Sequence, residues 1–282
     1  MRTGLVLEGG AMRGMFTCGI LDVFLEKGIE FDSTVGVSAG AVFGCNYKSR
    51  QLGRALRYNK RFCNDWRYCS VRSLLRTGDL YGAQFCYDEL PNVLDPFDYD
   101  GFGKNPMEFW CVTTDVENGK ACYDLMNDGR GDDMLLLRAS ASMPIVSQPV
   151  KVKGKELLDG GISDPIPFDF MLSKKVDRCV VILTQPYDYI KEKDSLIPLF
   201  NLLYRGKRNG VSKAMGVRHD VYNRETERLK ILEKEGKVYV LRPETPLDIG
   251  KTEKDPQRLQ SVYDEGRLLA LRKLDEIKEY LS

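Results

Sequence analysis

Twice before residue 41 a short apolar segment runs into glycines and then into a helical pattern. Thr3–Leu7 leads to Gly9-Gly10, and Phe31–Val37 leads through Ser38 to Gly40. Strand, tight turn and helix in succession are the unit of an α/β layer fold, because parallel strands need a long crossover to return to the same sheet. Met107–Thr114 (MEFWCVTT) and Cys179–Thr184 (CVVILT) are apolar runs of the kind found in strands covered on both faces. Lys237–Leu241 reads as a late strand. Gln257–Leu281 reads as one long charged helix with leucines at 268, 271, 274 and 281. The expectation is an α/β fold: three α/β/α layers around a mostly parallel central sheet. A core is expected over residues 1–185, with a C-terminal strand and helix extension packed on it over 186–282.

The 282 residues hold a single histidine, His219. That excludes two-histidine zinc peptidases, three-histidine zinc sites and facial-triad iron sites. The net charge is +1, so the total announces neither a nucleic-acid binder nor an acidic scaffold. Eight cysteines lie scattered without CxxC spacing, and the apolar run at the start is too short for a secretory signal. Reduced thiols in a cytoplasmic protein are expected. No apolar stretch approaches the ~20 residues of a transmembrane helix.

Gly36-Val37-Ser38-Ala39-Gly40 is a GxSxG sequence between a strand and a helix. In a nucleophile elbow the serine sits on a sharp turn whose flanking positions must be small, and the following N–H, here of Ala39, helps to hold an oxyanion. The plain alternative is that Ser38 caps a helix. Gly9-Gly10-Ala11-Met12-Arg13-Gly14 follows the first strand and has two readings. One is a dinucleotide loop, with Glu30 or Asp32 as the ribose acid. The other is a loop whose backbone N–H groups form an oxyanion hole beside the elbow. A serine nucleophile needs a base. Ser38, Asp159 and His219 fall in α/β-hydrolase order, but His219 lies in a charged helical stretch. Asp159, at the end of an apolar strand before Gly160-Gly161, is the better candidate, and a simple Asp-Gly turn is its plain alternative.

The glycine loop, the GxSxG elbow, Arg138-Ala139-Ser140-Ala141-Ser142-Met143-Pro144 and Asp159-Gly160-Gly161, in that order, resemble the patatin-like phospholipase family over residues 3–185. The resemblance implies lipid acyl hydrolysis by a Ser-Asp dyad, with Ser38 as nucleophile, Asp159 as general base and no catalytic histidine. It implies an oxyanion hole in the Gly9–Gly14 loop with Arg13 beside it, and neither metal nor cofactor. Ala11 departs from the family loop, which usually carries glycine there. A required positive φ at that position displaces the donors around an alanine. An aspartate with an ordinary pKa of about 4 is a weak base at neutral pH, which throws weight onto the oxyanion hole.

Charge is uneven along the chain: +7 over residues 50–76, +5 over 191–218 and −11 over the rest. In the first segment Arg54, Arg57, Lys60, Arg61 and Arg67 alternate with Tyr58, Phe62, Trp66 and Tyr68. In the second, Ile197–Tyr204 runs into Arg205, Lys207 and Arg208. Both read as peripheral membrane contacts or as amphipathic helices with aromatics turned inward. The expected partner is a lipid or ester substrate, not nucleic acid. A nucleotide-dependent enzyme and a non-catalytic lipid-binding protein stand as alternatives.

Overall fold

The computed structural model describes residues 1–282, Lys207 excepted. In chain order the helices and strands are β1 (Thr3–Leu7), α1 (Gly14–Glu26), β2 (Ser33–Val37), α2 (Ala39–Lys48), α3 (Arg54–Phe62), α4 (Val71–Thr77), α5 (Tyr99–Lys104), β3 (Glu108–Asp115), β4 (Ala121–Met126) and α6 (Asp132–Ser140), followed by β5 (Val150–Val152), β6 (Lys155–Asp159), α7 (Phe168–Ser173), β7 (Arg178–Ile182), α8 (Ile197–Leu203), α9 (Asn209–Lys234), β8 (Tyr239–Leu241), α10 (Pro256–Arg272) and α11 (Leu274–Leu281). The strands form one sheet in the order β5-β6-β3-β2-β1-β7-β8, with β4 added to β3.

Alternation along each strand divides the core between the two faces. Leu5, Leu7, Phe109, Cys111, Val180 and Ile182 join one apolar cluster with residues of α1, α2, α3, α6 and α10. Val6, Val35, Val37, Val112 and Val181 join another with Phe168 and Met171 from α7 and Tyr222, Leu229 and Leu232 from α9. The layers are those expected from the apolar runs. The sheet is parallel from β3 through β2, β1 and β7 to β8. At the β3 end it turns antiparallel, where β4 and β6 pair with β3 and β5 with β6.

That antiparallel end decides where the two motifs meet. β4 holds one edge of β3 from Phe109 to Thr114. The other edge is shared end to end: β2 pairs with Glu108–Val112, and β6 arrives from the opposite direction to pair with Thr113–Asp115. Val37 therefore stops opposite Val112, and Asp159 stops opposite the next residue, Thr113. The C-terminal ends of two strands far apart in sequence abut.

Residues beyond 185 contribute to both layers. β8 extends the sheet beside β7. α10 crosses α1 with glycine on each side: a Cβ at Gly266 falls 2.0 Å from the Phe16 carbonyl oxygen, and one at Gly19 falls 2.0 Å from that of Tyr263. Around the crossing the Tyr263 hydroxyl donates to Asp22 at 2.7 Å, and Arg267 pairs with Glu26 through two hydrogen bonds of 2.9 and 2.8 Å. The single helix expected over Gln257–Leu281 is two, interrupted at Lys273. The break turns α11 so that Ile277 is buried and the Tyr280 hydroxyl reaches the Lys237 carbonyl at 3.0 Å.

In an exposed helix Gly→Ala stabilises by about 1 kcal/mol. At Gly266 the backbone contact outweighs propensity, because the added methyl has only main-chain atoms to displace. Gly266→Ala is expected to destabilise by about 1–3 kcal/mol, read as a lower melting temperature. A higher one contradicts the close helix crossing.

Candidate functional site

Ser38 occupies the one-residue turn between β2 and α2 with φ 53° and ψ −122°, a strained conformation for a residue with a Cβ. Its side chain makes no capping hydrogen bond to α2. Instead Oγ donates to Asp159 Oδ2 at 2.7 Å. The turn is tight enough that a Cβ on Gly40 meets the Leu7 carbonyl oxygen at 2.4 Å, which is why the elbow needs glycine there. Gly36 lies in β2 just before the elbow, and α2 opens at Ala39. The Ala39 N–H belongs to the first turn, which has no intrahelical acceptor.

Asp159 is 1% exposed. One carboxylate oxygen takes the Ser38 hydroxyl; the other accepts the Gly161 N–H at 2.7 Å. The Asp-Gly turn and the serine partnership thus coexist in one side chain. Burial raises its pKa to about 6, and the bonds from Ser38 and Gly161 and the charge of Arg218 only partly offset this. The ordinary value of about 4 expected from the sequence is therefore too low, and the carboxylate is a stronger base at neutral pH than that value implies. Thr114 Oγ1 donates to the Asp159 carbonyl at 2.7 Å, and the Asp159 N–H donates to the Ser142 carbonyl at 2.9 Å.

The glycine loop lies against the elbow. Gly9 is close enough that a Cβ there meets Ser38 Cβ at 2.9 Å. Ala11–Arg13 form a 3₁₀ turn in which the Arg13 N–H donates to the Gly10 carbonyl at 3.1 Å and the Gly14 N–H turns back onto Ala11 and Met12. Those two N–H groups serve the turn itself. Ala11 adopts φ 50°. The alanine accepts the left-handed conformation expected of glycine, at a cost of roughly 1–2 kcal/mol. The loop is anchored beneath by Glu8, whose buried carboxylate accepts the Thr184 N–H and hydroxyl and the Tyr222 hydroxyl. Glu30 and Asp32, the acids a dinucleotide loop requires, precede β2 at the opposite end of the strands, where Asp32 accepts the Thr3 N–H at 2.7 Å. A ribose carried by the loop lies out of their reach.

His219 sits on α9, half-buried, with Nε2 3.4 Å from Asp220. It makes no hydrogen bond to Ser38 or Asp159, whose hydroxyl and carboxylate bond each other. Its neighbour Arg218 does bear on the site: Nε donates to the carbonyl of Gly161. Ser140 has no mark in the sequence beyond its place in the Arg138–Pro144 run. It accepts the Ser38 N–H at 2.8 Å and donates to the Val112 carbonyl at 2.6 Å, tying the elbow to β3. Glu8, Thr114 and Arg218 carried no local pattern that could have marked them.

Ser38, Ala11, Met12 and Ala39 open onto a cavity of about 200 Å³ lined mainly by apolar groups such as Phe43, Tyr87, Leu90, Phe97, Leu137 and Met143. The basic segment 50–76 turns part of its aromatics inward and leaves Val71 and Leu75 exposed. Tyr58, Phe62 and Tyr68 are buried, Arg57 pairs with Asp95 at 2.8 Å, and Arg67 pairs with Asp65 at 2.8 Å. In the second segment Leu202 and Leu203 are exposed; Lys207 lies outside the described residues. Among the described residues no helix is long and apolar enough to cross a membrane.

The family model of patatin-like phospholipases matches residues 5–172, and that of a domain of unknown function, DUF6363, matches 209–282. An uncharacterized protein of Escherichia coli, YjjU, is 29% identical over 66% of this chain and 52% of its own length. Lysophospholipase nte1 of Aspergillus niger is 29% identical over 60% of this chain and 11% of its own length. An uncharacterized NTE family protein of Mycobacterium tuberculosis, Rv1063c, is 26% identical over 64% of this chain and 48% of its own. The chain thus spans about half or less of the curated relatives it matches. VipD from Legionella pneumophila is similar at a TM-score of 0.46 and 12% identity, covering 98% of this chain and 67% of that one. The matched region 5–172 takes in the loop, the elbow and the aspartate, and this chain belongs to the patatin-like phospholipase family.

Proposed function

We propose that the protein is a lipid acyl hydrolase in which Ser38 is the nucleophile and Asp159 the general base. The observation that carries this reading is the 2.7 Å bond from Ser38 Oγ to a buried carboxylate, made by a serine held in a strained elbow. Membership of a phospholipase family supports the lipid ester as substrate. As Oγ attacks the ester carbonyl, its proton passes to Asp159 Oδ2. N–H groups at the start of the glycine loop, around Gly10, Ala11 and Met12, with that of Ala39, receive the oxyanion. Asp159 returns the proton to the departing alcohol. Water then gives a proton to the same carboxylate and hydrolyses the acyl-enzyme, restoring Ser38. The acyl chain occupies the apolar cavity that Ser38 lines.

Contact with the membrane falls to the segment before α9, where Ile190, Leu196, Leu202 and Leu203 are exposed and Arg205 follows. Binding to anionic vesicles that Leu202→Ser/Leu203→Ser weakens supports this; equal binding by that variant speaks against it.

Removing either member of the dyad is expected to lower turnover of a lysophospholipid by about 10³-fold or more. Asp159→Asn keeps an acceptor for the Gly161 N–H and discards a carboxylate whose ionisation at neutral pH opposes folding by about 3 kcal/mol. That variant is expected to melt at or above the wild-type temperature at pH 7 while losing activity. Retained turnover in Asp159→Asn sinks the dyad.

The pH dependence has a definite sign. Only the ionised carboxylate accepts the Ser38 proton, so kcat/KM rises with pH through about 6 and is level above it. Histidine is the other residue type that could act as the base, so the profile is measured in His219→Ala as well. Persistence of the limb assigns it to Asp159; its disappearance returns the base to histidine.

A further inference from the structure

The cavity that Ser38 lines is not apolar throughout. Ala39, Val42, Phe43 and Cys45 set successive turns of α2 along it, and Arg54 and Tyr58 of α3 line it as well. Both are buried, Arg54 at 4% exposure and Tyr58 at 5%. Arg54 belongs to the end far from the nucleophile. Its Nη1 donates to Asn46 Oδ1 at 2.7 Å, and Asn46 follows Cys45 on α2. At the rise of a helix, Asn46 stands about 12 Å along from Ser38.

Buried donors at this end lack acceptors. A guanidinium carries five N–H groups. In Arg54, Nη1 donates to Asn46, while Nε and Nη2 both donate to the Asp95 carbonyl. One N–H on each of Nη1 and Nη2 is thus left without a protein acceptor among the described residues. The guanidinium lies over the rings of Tyr58 and Phe97, 5.3 Å from each centre, which holds its orientation. The Tyr58 hydroxyl makes no hydrogen bond among the described residues, and burial raises its pKa well above the usual range, so it remains a donor. The neighbouring Cys45 thiol is turned to the Val42 carbonyl at 3.1 Å.

Two guanidiniums share one carboxylate here. Arg57 takes both oxygens of Asp95 at 2.8 Å, and Arg54 approaches the same carboxylate at 3.3 Å. Asp22, which also acts on Arg57, accepts the Gly53 N–H and the Tyr263 hydroxyl, and burial pushes its pKa up. A methyl end pressed against Arg54 and Tyr58 strips their donors of water and offers no acceptor in return. A carboxylate end offers acceptors to both, with a charge that suits the guanidinium.

We propose that the far end of this cavity recognises a carboxylate at the end of the acyl chain, so that the enzyme favours half-esters of dicarboxylic acids about nine carbons long over esters of plain fatty acids. The proposal rests on the hydrolase reading above, which sets the acyl chain in this cavity with its carbonyl at Ser38. The length follows from the distance. Bonds of about 1.5 Å at near-tetrahedral angles advance an extended chain by roughly 1.25 Å each, so nine carbons and a hydrogen bond lead from Ser38 to Arg54. Oxidative cleavage of an unsaturated acyl chain is the class of reaction that supplies such esters.

The test compares kcat/KM for the p-nitrophenyl half-ester of nonanedioic acid and for p-nitrophenyl nonanoate, both as monomers, in wild type, Tyr58→Phe and Arg54→Met. Each variant is first checked by its melting temperature. Wild type is expected to favour the half-ester by at least tenfold, Tyr58→Phe to cut that ratio by about threefold, and Arg54→Met to abolish it. Tyr58→Phe removes a single oxygen and decides alone if Arg54→Met does not fold. The half-ester of hexanedioic acid, too short to reach Arg54, is expected to show no preference over hexanoate. A ratio near one in wild type, a ratio that no folded variant moves, or an equal preference at six carbons overturns the proposal and leaves the hydrolase standing. Calorimetric titration of Ser38→Ala with nonanedioate and nonanoate tests the cavity without turnover. Diacid binding about tenfold tighter, weakened when Tyr58→Phe is added, supports the site even if no ester is hydrolysed, a result that counts against the hydrolase reading alone. Nonanoate binding as tightly, or diacid binding indifferent to Tyr58→Phe, overturns the proposal.

Discussion

The arrangement of this molecule turns on one shared strand edge. β4 occupies one side of β3, so β2 and β6 meet end to end on the other, their last residues opposite Val112 and Thr113. Sheet register then does what no local sequence can. It sets Ser38 and Asp159, 121 residues apart, within 2.7 Å. Ser140 fastens the joint by bonding both the Ser38 N–H and the Val112 carbonyl. The sheet itself is fixed by apolar clusters on both faces, so the registers cannot slip without turning core residues outward.

The site departs from what is locally favourable in three places. Ser38 and Ala11 hold positive φ, and Asp159 keeps a carboxylate where burial opposes its charge. Each deviation costs on the order of 1–3 kcal/mol. The surroundings sustain them: the elbow is wedged against the end of β1 through Gly40, and the loop is tied down by Glu8 through Thr184 and Tyr222. Part of that support comes from the C-terminal segment, since Tyr222 belongs to α9 and α10 clamps α1 through the Gly19–Gly266 crossing.

The layers and the two key side chains were legible because they leave local marks: apolar runs for the strands, and small residues flanking a serine or following an aspartate. The antiparallel end of the sheet was not, since β4 to β6 are short and their pairing depends on partners distant in sequence. The basic segment 50–76 carried two readings that its pattern alone could not separate. Its aromatics alternate with arginines; helix geometry turns Tyr58 and Phe62 inward, and a carboxylate distant in sequence, Asp95, pairs with Arg57. Arg218 had only the charge of its segment to mark it, and its place beside the dyad comes from the path of α9 across the sheet.

In the mechanism proposed above, Ser38 is an activated nucleophile working without histidine. The most direct measurement is fluorophosphonate labelling of wild type and His219→Ala, with the adduct mapped by mass spectrometry. One adduct per chain on Ser38, formed at similar rates in both proteins, is expected. Labelling that vanishes with His219, or an adduct on another residue, contradicts it.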